Sequence, residues 1–122
     1  MTSKTPDFQA YSGGAEPRFA NDSEREFAKI LDYYGVLWEY EPRRFVLEAD
    51  EDGRVVEAVA PDFYLPEQDL YVELTTMRQA LVTRKNRKIR KLRERYPGVR
   101  VKIFYRRDFE RLAEKYRLRQ AA

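Results

Sequence analysis

Apolar residues recur along the chain with two different spacings, which predict its helices and its strands. Between positions 27 and 34, apolar side chains lie three or four residues apart, as on one face of a helix. This first helix is expected to begin near Ser23, because Ser23 and Glu26 form a capping-box pattern, and to end at Gly35. Two further helices are predicted over residues 83–96 and from a cap at Asp108 onward.

Shorter apolar runs between these helices predict strands. Residues 36–49 and 54–66 are interpreted as two strands joined by the turn DEDG, and a third short strand is LYVEL at 70–74. Residues 99–105 predict a fourth strand, VRVKIFY. A helix long enough for a parallel crossover separates the third strand from the fourth.

The resulting order, αβββαβα, predicts an α/β fold. We expect a three-layer sandwich in which a mixed central sheet of about four strands is flanked by helices. Its 122 residues suffice for one domain, assigned to residues 21–122. Residues 1–20 have no periodicity and are expected to form a flexible arm, docked in part through Phe8, Tyr11 or Phe19.

Two residue types that the chain lacks restrict its chemistry. It has no cysteine and no histidine, which excludes thiol nucleophiles, Ser-His-Asp triads and zinc sites built on sulfur or imidazole. A bound metal must therefore be held by oxygen, which favours Mg²⁺, Mn²⁺ or Ca²⁺. No apolar run is long enough to span a membrane and no signal-peptide pattern opens the chain, so a cytoplasmic location is expected.

The formal net charge of +3 conceals a strong asymmetry along the chain. Residues 1–77 contain 17 acids and 7 basic residues, whereas residues 78–107 contain 13 basic residues and one acid. Such a block is a candidate phosphate-binding surface, and the residues expected to contact phosphates are Arg78, Arg84, Arg87, Lys88 and Lys91. The alternative is a solvated helix folded back on the acidic half of the chain.

Two carboxylates lie within the predicted strands next to this basic block. Asp62 opens the apolar run FYL, and Glu73 lies inside LYVEL. Buried carboxylates need a partner, and two of them beside a cationic helix are typical of a site that holds a divalent metal against a phosphate. Taken singly, Asp62 could instead be a turn residue beside Pro61, and Glu73 an exposed strand acid.

Together with the acidic start of the first helix, these motifs resemble the PD-(D/E)XK nuclease superfamily, including its Holliday-junction-resolvase-like and very-short-patch-repair-like endonucleases. The resemblance covers residues 23 to about 107 and rests on Glu24 in SEREFAKIL, on PDFYLP and on YVELT, in that order. It implies that Asp62, Glu73 and the Leu74 carbonyl bind Mg²⁺ or Mn²⁺. It also implies that Glu24 orients a water or supports a second ion.

The chain departs from this family at one position. Thr75 stands where the family has a lysine, two residues after the strand glutamate. Lys85 lies on the same helical stripe as Ile89 and Leu92, one turn before Ile89, and is the candidate replacement. The alternative for Lys85 is a snorkelling side chain whose ammonium is solvated.

These features predict a Mg²⁺- or Mn²⁺-dependent endonuclease acting on DNA, including branched, mismatched or nicked forms. The catalytic candidates are Glu24, Asp62, Glu73 and Lys85. Two alternatives remain open: a non-catalytic nucleic-acid-binding protein of the same fold, and a protein-interaction module whose basic helix meets an acidic partner. A homodimer or a partner protein that supplies specificity is also expected.

Overall fold

The computed structural model describes residues 8–13, 17–76 and 79–121, which form three helices and six strands. In chain order these elements are α1 (Asp22–Tyr33), β1 (Glu39–Tyr40), β2 (Phe45–Ala49), β3 (Val55–Val59), β4 (Phe63–Leu65), β5 (Leu70–Thr75), α2 (Gln79–Arg95), β6 (Val101–Tyr105) and α3 (Arg106–Ala121).

The predicted α/β class and the mixed four-stranded sheet are confirmed. The sheet has the order β1-β4-β5-β6; β5 and β6 are parallel and the other neighbours are antiparallel. Strands β2 and β3 form a separate antiparallel hairpin. The prediction of single long strands over residues 36–49 and 54–66 is therefore wrong. Each of these stretches forms two strands, one in the four-stranded sheet and one in the hairpin.

Local backbone restrictions explain where the two predicted strands divide. Between β1 and β2, Glu41 adopts a positive φ of 45° and precedes Pro42, whose ring fixes its own φ. Between β3 and β4, Pro61 has no N–H to donate to a strand ladder. The chain thus leaves one sheet and enters the other at each proline.

Helices cover both faces of the four-stranded sheet, which makes the fold compatible with a sandwich. On one face, Val72 and Leu74 of β5 belong to a core that contains buried residues of α1 and α3. On the other face, Tyr71 packs with Ile89 and Leu92 of α2 and with Phe45 of the hairpin. Since side chains alternate along a strand, Glu73 lies on the α2 face.

All three helices begin earlier than their sequence patterns predict. Helix α1 is capped by Asn21 rather than Ser23, because the Asn21 side chain accepts the Glu24 N–H. Helix α2 begins four residues before position 83, and α3 begins two residues before Asp108, whose carboxylate instead accepts the Tyr105 N–H. The predicted end of α1 is correct: Gly35 has a positive φ of 68°, which glycine adopts without strain.

The described part of the N-terminal segment docks on the core through the aromatic residues predicted for it. Phe8 is buried, and its ring meets the rings of Phe19 and Trp38 edge to face. The Asp32 carboxylate of α1 accepts the backbone N–H groups of residues 9 and 10. No helix in the described ranges is long and apolar enough to cross a membrane.

Candidate functional site

A cavity of about 290 Å³ brings together all four predicted catalytic residues at the junction of the sheet, α1, α2 and the hairpin. Glu24, Asp62, Glu73 and Lys85 all line it, as does Lys88. Residues that sequence analysis did not single out complete its wall, namely Ala20, Glu41 and residues 58–60.

Asp62 lies at the floor of this cavity, immediately before β4, and is 5% exposed. Its Oδ2 accepts the backbone N–H of Leu74 on the neighbouring strand at 2.8 Å. Burial raises the pKa of Asp62 to about 8, and the neighbouring Glu73 carboxyl adds to the rise through hydrogen bonding and repulsion. Without a further cation, Asp62 is therefore protonated at neutral pH.

Glu73 faces Asp62 from β5 and is 4% exposed, so its interpretation as an exposed strand acid is wrong. The ammonium of Lys85 lies 3.3 Å from the Glu73 Oε1 and donates to the Leu74 carbonyl at 2.9 Å. The Lys85 side chain is 28% exposed, and its head is bound within the site rather than snorkelling into solvent. The register predicted from Ile89 and Leu92 therefore placed Lys85 correctly.

Glu24 also reaches the cavity, where its carboxylate has two hydrogen-bond partners that sequence analysis did not predict. The Glu24 Oε1 accepts the Tyr40 hydroxyl at 2.5 Å and the Ala20 N–H at 3.1 Å. Burial raises the pKa of Glu24 and the charge of Asp62 adds to the rise, whereas these two hydrogen bonds oppose it. Glu26 instead forms an ion pair with Arg117 of α3.

Glu41 is a fourth carboxylate at the cavity that the sequence patterns did not indicate. It follows edge strand β1 in the left-handed conformation, and its backbone N–H donates to the Asp62 carbonyl at 2.9 Å. Burial raises the pKa of Glu41, and the charges of Asp62 and Glu24 raise it further. Inside the stretch predicted as one strand over residues 36–49, a glutamate before a proline was the only sequence signal for this position.

Thr75, at the position where the resemblance implies a lysine, is sealed inside the fold. It is 2% exposed, and its hydroxyl donates to the Phe104 carbonyl of β6. A longer cationic side chain there would have to displace packed neighbours. Within the described part of the chain, the lysine that contacts Glu73 is therefore Lys85.

The predicted phosphate-contacting residues of α2 are divided between the cavity and the hairpin. Lys88 lines the cavity and donates to the Ala58 carbonyl. Lys91 forms a 2.7 Å ion pair with Glu57 of β3, and Arg87 lies 3.8 Å from the same carboxylate. The alternative of a basic helix folded back on acidic residues therefore applies to Arg87 and Lys91.

The two other predicted phosphate contacts lie apart from these interactions. Arg84 is exposed on α2 and does not line the cavity. Arg78 lies outside the described residues.

The donor atoms at the floor of the cavity suit a hard divalent cation. Across residues 8–13, 17–76 and 79–121, no group of three or more acidic side chains is arranged to hold a metal unaided. The oxygen atoms that could bind such an ion belong to two buried carboxylates, Asp62 and Glu73, and to the Leu74 carbonyl. This carbonyl already accepts a hydrogen bond from the Lys85 ammonium. Oxygen donors of this kind match Mg²⁺ or Mn²⁺.

Comparisons with protein-family models, with curated proteins and with solved structures find no match to this chain.

Proposed function

We propose that this protein is a Mg²⁺- or Mn²⁺-dependent nuclease that hydrolyses phosphodiester bonds of DNA. The observation that carries the proposal is the Asp62–Glu73 pair. Two carboxyl groups, each at least 95% buried, face one another next to a backbone carbonyl in an open cavity. Such an arrangement costs free energy unless a cation or a proton offsets it, and it is typical of functional sites.

Within this proposal, Asp62, Glu73 and the Leu74 carbonyl hold the divalent ion. When bound, the ion supplies Lewis acidity, which neutralises charge on the phosphate and makes hydroxide available near neutral pH. Glu24, whose position is set by Tyr40 and Ala20, would accept a hydrogen bond from the attacking water.

The cations at the cavity would act on the phosphate. The Lys85 ammonium stabilises the negative charge that develops on the phosphoryl oxygens during cleavage. Lys88, on the same side of α2, would contact the neighbouring phosphate. Contacts to phosphates position the nucleic acid without reading its sequence, so a partner protein or a second copy would supply specificity.

A second candidate function is a nucleic-acid-binding protein of the same fold without catalytic activity. Two observations favour it: a buried Thr75 replaces the lysine implied by the resemblance, and Lys85 already neutralises Glu73. The same surface would then bind phosphates but hold no ion at the carboxylates. Cleavage assays separate the two functions.

The experiment incubates the purified protein with single-stranded, duplex, nicked, mismatched and branched DNA, and with RNA, in Mn²⁺, Mg²⁺ or EDTA. The expected result is metal-dependent cleavage of at least one DNA form, abolished by Asp62→Asn and by Glu73→Gln. Loss of a group that stabilises transition-state charge usually costs roughly 10²–10³-fold in rate. Glu110→Gln, a change at an exposed acid of α3, is the matched control and should cleave at the parental rate.

An absence of cleavage of every substrate with Mn²⁺ present would contradict the nuclease proposal. If the protein nevertheless bound these nucleic acids with an affinity that falls as salt rises, the non-catalytic function would replace it.

A further inference from the structure

The Lys85 ammonium occupies two of the three oxygen groups that the divalent ion would need. It donates to the Leu74 carbonyl at 2.9 Å and lies 3.3 Å from the Glu73 Oε1. These are contacts of a cation with oxygen acceptors, the same type of interaction that a metal makes there. The site is therefore already partly neutralised by the protein itself.

The surroundings of Lys85 hold its ammonium in this place. Its side chain leaves α2 on the stripe that continues through Ile89 and Leu92, both of which are buried. The nearby carboxylates at the floor, Asp62 and Glu73, have at most 5% of their surface exposed, so water screens their charge weakly. Water therefore screens the attraction between Lys85 and Glu73 less than it screens a fully exposed ion pair.

A divalent ion and the ammonium compete at these acceptors. Both are positive, and their repulsion within a few ångströms is large in a poorly solvated site. The Leu74 carbonyl and the Glu73 carboxylate have further lone pairs, so this repulsion, and not a shortage of acceptors, opposes the two cations. Lys85 has room to move, because the cavity beside it is open and its own side chain is partly exposed.

We propose that Lys85 is the resident counterion of the site, and that a divalent cation binds by displacing its ammonium from Glu73 and the Leu74 carbonyl. This inference rests on the proposed function for the identity of the ion. Displacement weakens metal binding and delivers the Lys85 ammonium to the open part of the cavity, where Lys88 lies and where the phosphate would bind. Loading of the ion and positioning of the lysine are therefore one event.

The test is calorimetric titration of Mn²⁺ into the parent protein and three variants. Lys85→Met keeps an unbranched side chain, one atom shorter, but removes its charge and donors. It should bind Mn²⁺ at least about fivefold more tightly, since coupling between sites typically spans 5- to 150-fold. Lys85→Arg keeps the charge and should not bind more tightly than the parent. Lys88→Met is the matched control for loss of a cation at the same cavity, because Lys88 donates to the Ala58 carbonyl and not to the candidate metal ligands. The change in Mn²⁺ affinity that it causes should be clearly smaller.

A measurement on the parent protein alone guards against a variant that fails to fold. In lysine-labelled protein, saturation with Mg²⁺ should shift the NMR signal of the Lys85 side chain more than that of Lys102, which lies on β6 away from the cavity. A parent that binds metal with an unmoved Lys85 signal, or a folded Lys85→Met with unchanged or weaker affinity, overturns the displacement alone. If neither the parent nor any variant binds Mn²⁺, the displacement and the proposed metal dependence both fail.

Discussion

At the scale of single residues, the Asp62 carboxyl is subject to opposing electrostatic effects. Burial and the adjacent Glu73 favour its neutral form, whereas the Leu74 N–H and the Lys85 charge favour the ionised form. The first pair of effects is larger, so the pKa of Asp62 is raised to about 8. A divalent ion would reverse this balance, since it interacts only with the deprotonated group.

This balance predicts how stability depends on pH. The folded protein retains the Asp62 proton up to about pH 8, whereas the unfolded chain loses it near its ordinary pKa of 3.8. The free energy of unfolding should therefore fall as pH rises between these values and then level off, with a slope of at most about 1.4 kcal/mol per pH unit for this one proton. Urea unfolding in EDTA at a series of pH values measures the slope.

Asp62→Asn removes this titration, so its stability should depend less on pH than that of the parent over the same interval. The raised pKa values of Glu24 and Glu41 act in the same direction and leave a smaller residual slope. A parent whose stability is constant or rises between pH 5 and pH 8 would show that Asp62 is ionised in the folded state.

Residues whose position follows from local periodicity could be predicted from the sequence. Glu73 was placed by the alternation of β5, and Lys85 by its helical register with Ile89. The positions of Tyr40 and Glu41 could not be predicted from the sequence. Tyr40 reaches the site through the pairing of the two-residue edge strand β1, and Glu41 through its positive φ. The hydrogen bonds of Glu24 were not predicted because the helix was expected to begin at Ser23. Asn21 and Ser23 are both suitable helix caps, and the structure uses Asn21.

At the scale of elements, the β2–β3 hairpin restrains the basic helix α2. Glu57 of β3 pairs with Lys91 and with Arg87, and the Lys91 hydrogen bond is the main reason that the pKa of Glu57 is lowered. Reversing the charges of these basic residues would therefore disturb the hairpin as well as any phosphate contact. A substitution of Glu57, the acidic partner, is therefore the better test of whether α2 binds nucleic acid.

Glu57→Gln should strengthen nucleic-acid binding, because it removes a negative charge and leaves Arg87 and Lys91 available for phosphates. We expect affinity for a duplex at low salt to rise by roughly two- to tenfold, with a steeper salt dependence. Fluorescence anisotropy of a labelled duplex across a salt series measures both. Glu51→Gln, a change at an exposed acid in the hairpin turn, is the control for loss of charge alone.

Equal affinities for the parent and Glu57→Gln would show that this part of α2 does not contact nucleic acid. Such a result would direct attention to Arg84 and Lys88, which lie outside the pair with Glu57.

The types of most elements could be predicted from the sequence, but the division into two sheets could not. The apolar runs that form β5 and β6 and the stop at Gly35 are local signals, and all three are found in the structure. Prolines 42 and 61 mark the breaks within the two long predicted strands. Which half then joins the sheet depends on the pairing of β4 with β5 and of β1 with β4, long-range contacts that periodicity does not encode.

At the scale of the whole molecule, the charge asymmetry of the sequence becomes a spatial arrangement. The acidic half of the chain supplies the carboxylates at the floor of the cavity, and the basic block supplies Lys85 and Lys88 at its side. Under the proposed function, these cations would attract a phosphate, and the buried carboxylates would hold a positive ion between themselves and that phosphate. Both features belong to one site only because α2 follows β5 directly and packs over it.

The most direct test of this account is the anomalous-scattering map of crystals soaked in Mn²⁺. We predict one strong peak among the carboxylates of Asp62 and Glu73 and the Leu74 carbonyl, with the Lys85 ammonium moved away from that carbonyl. No peak in crystals soaked at millimolar Mn²⁺, with Lys85 still bound to Leu74 and Glu73, would contradict the claim that these residues form a divalent-metal site.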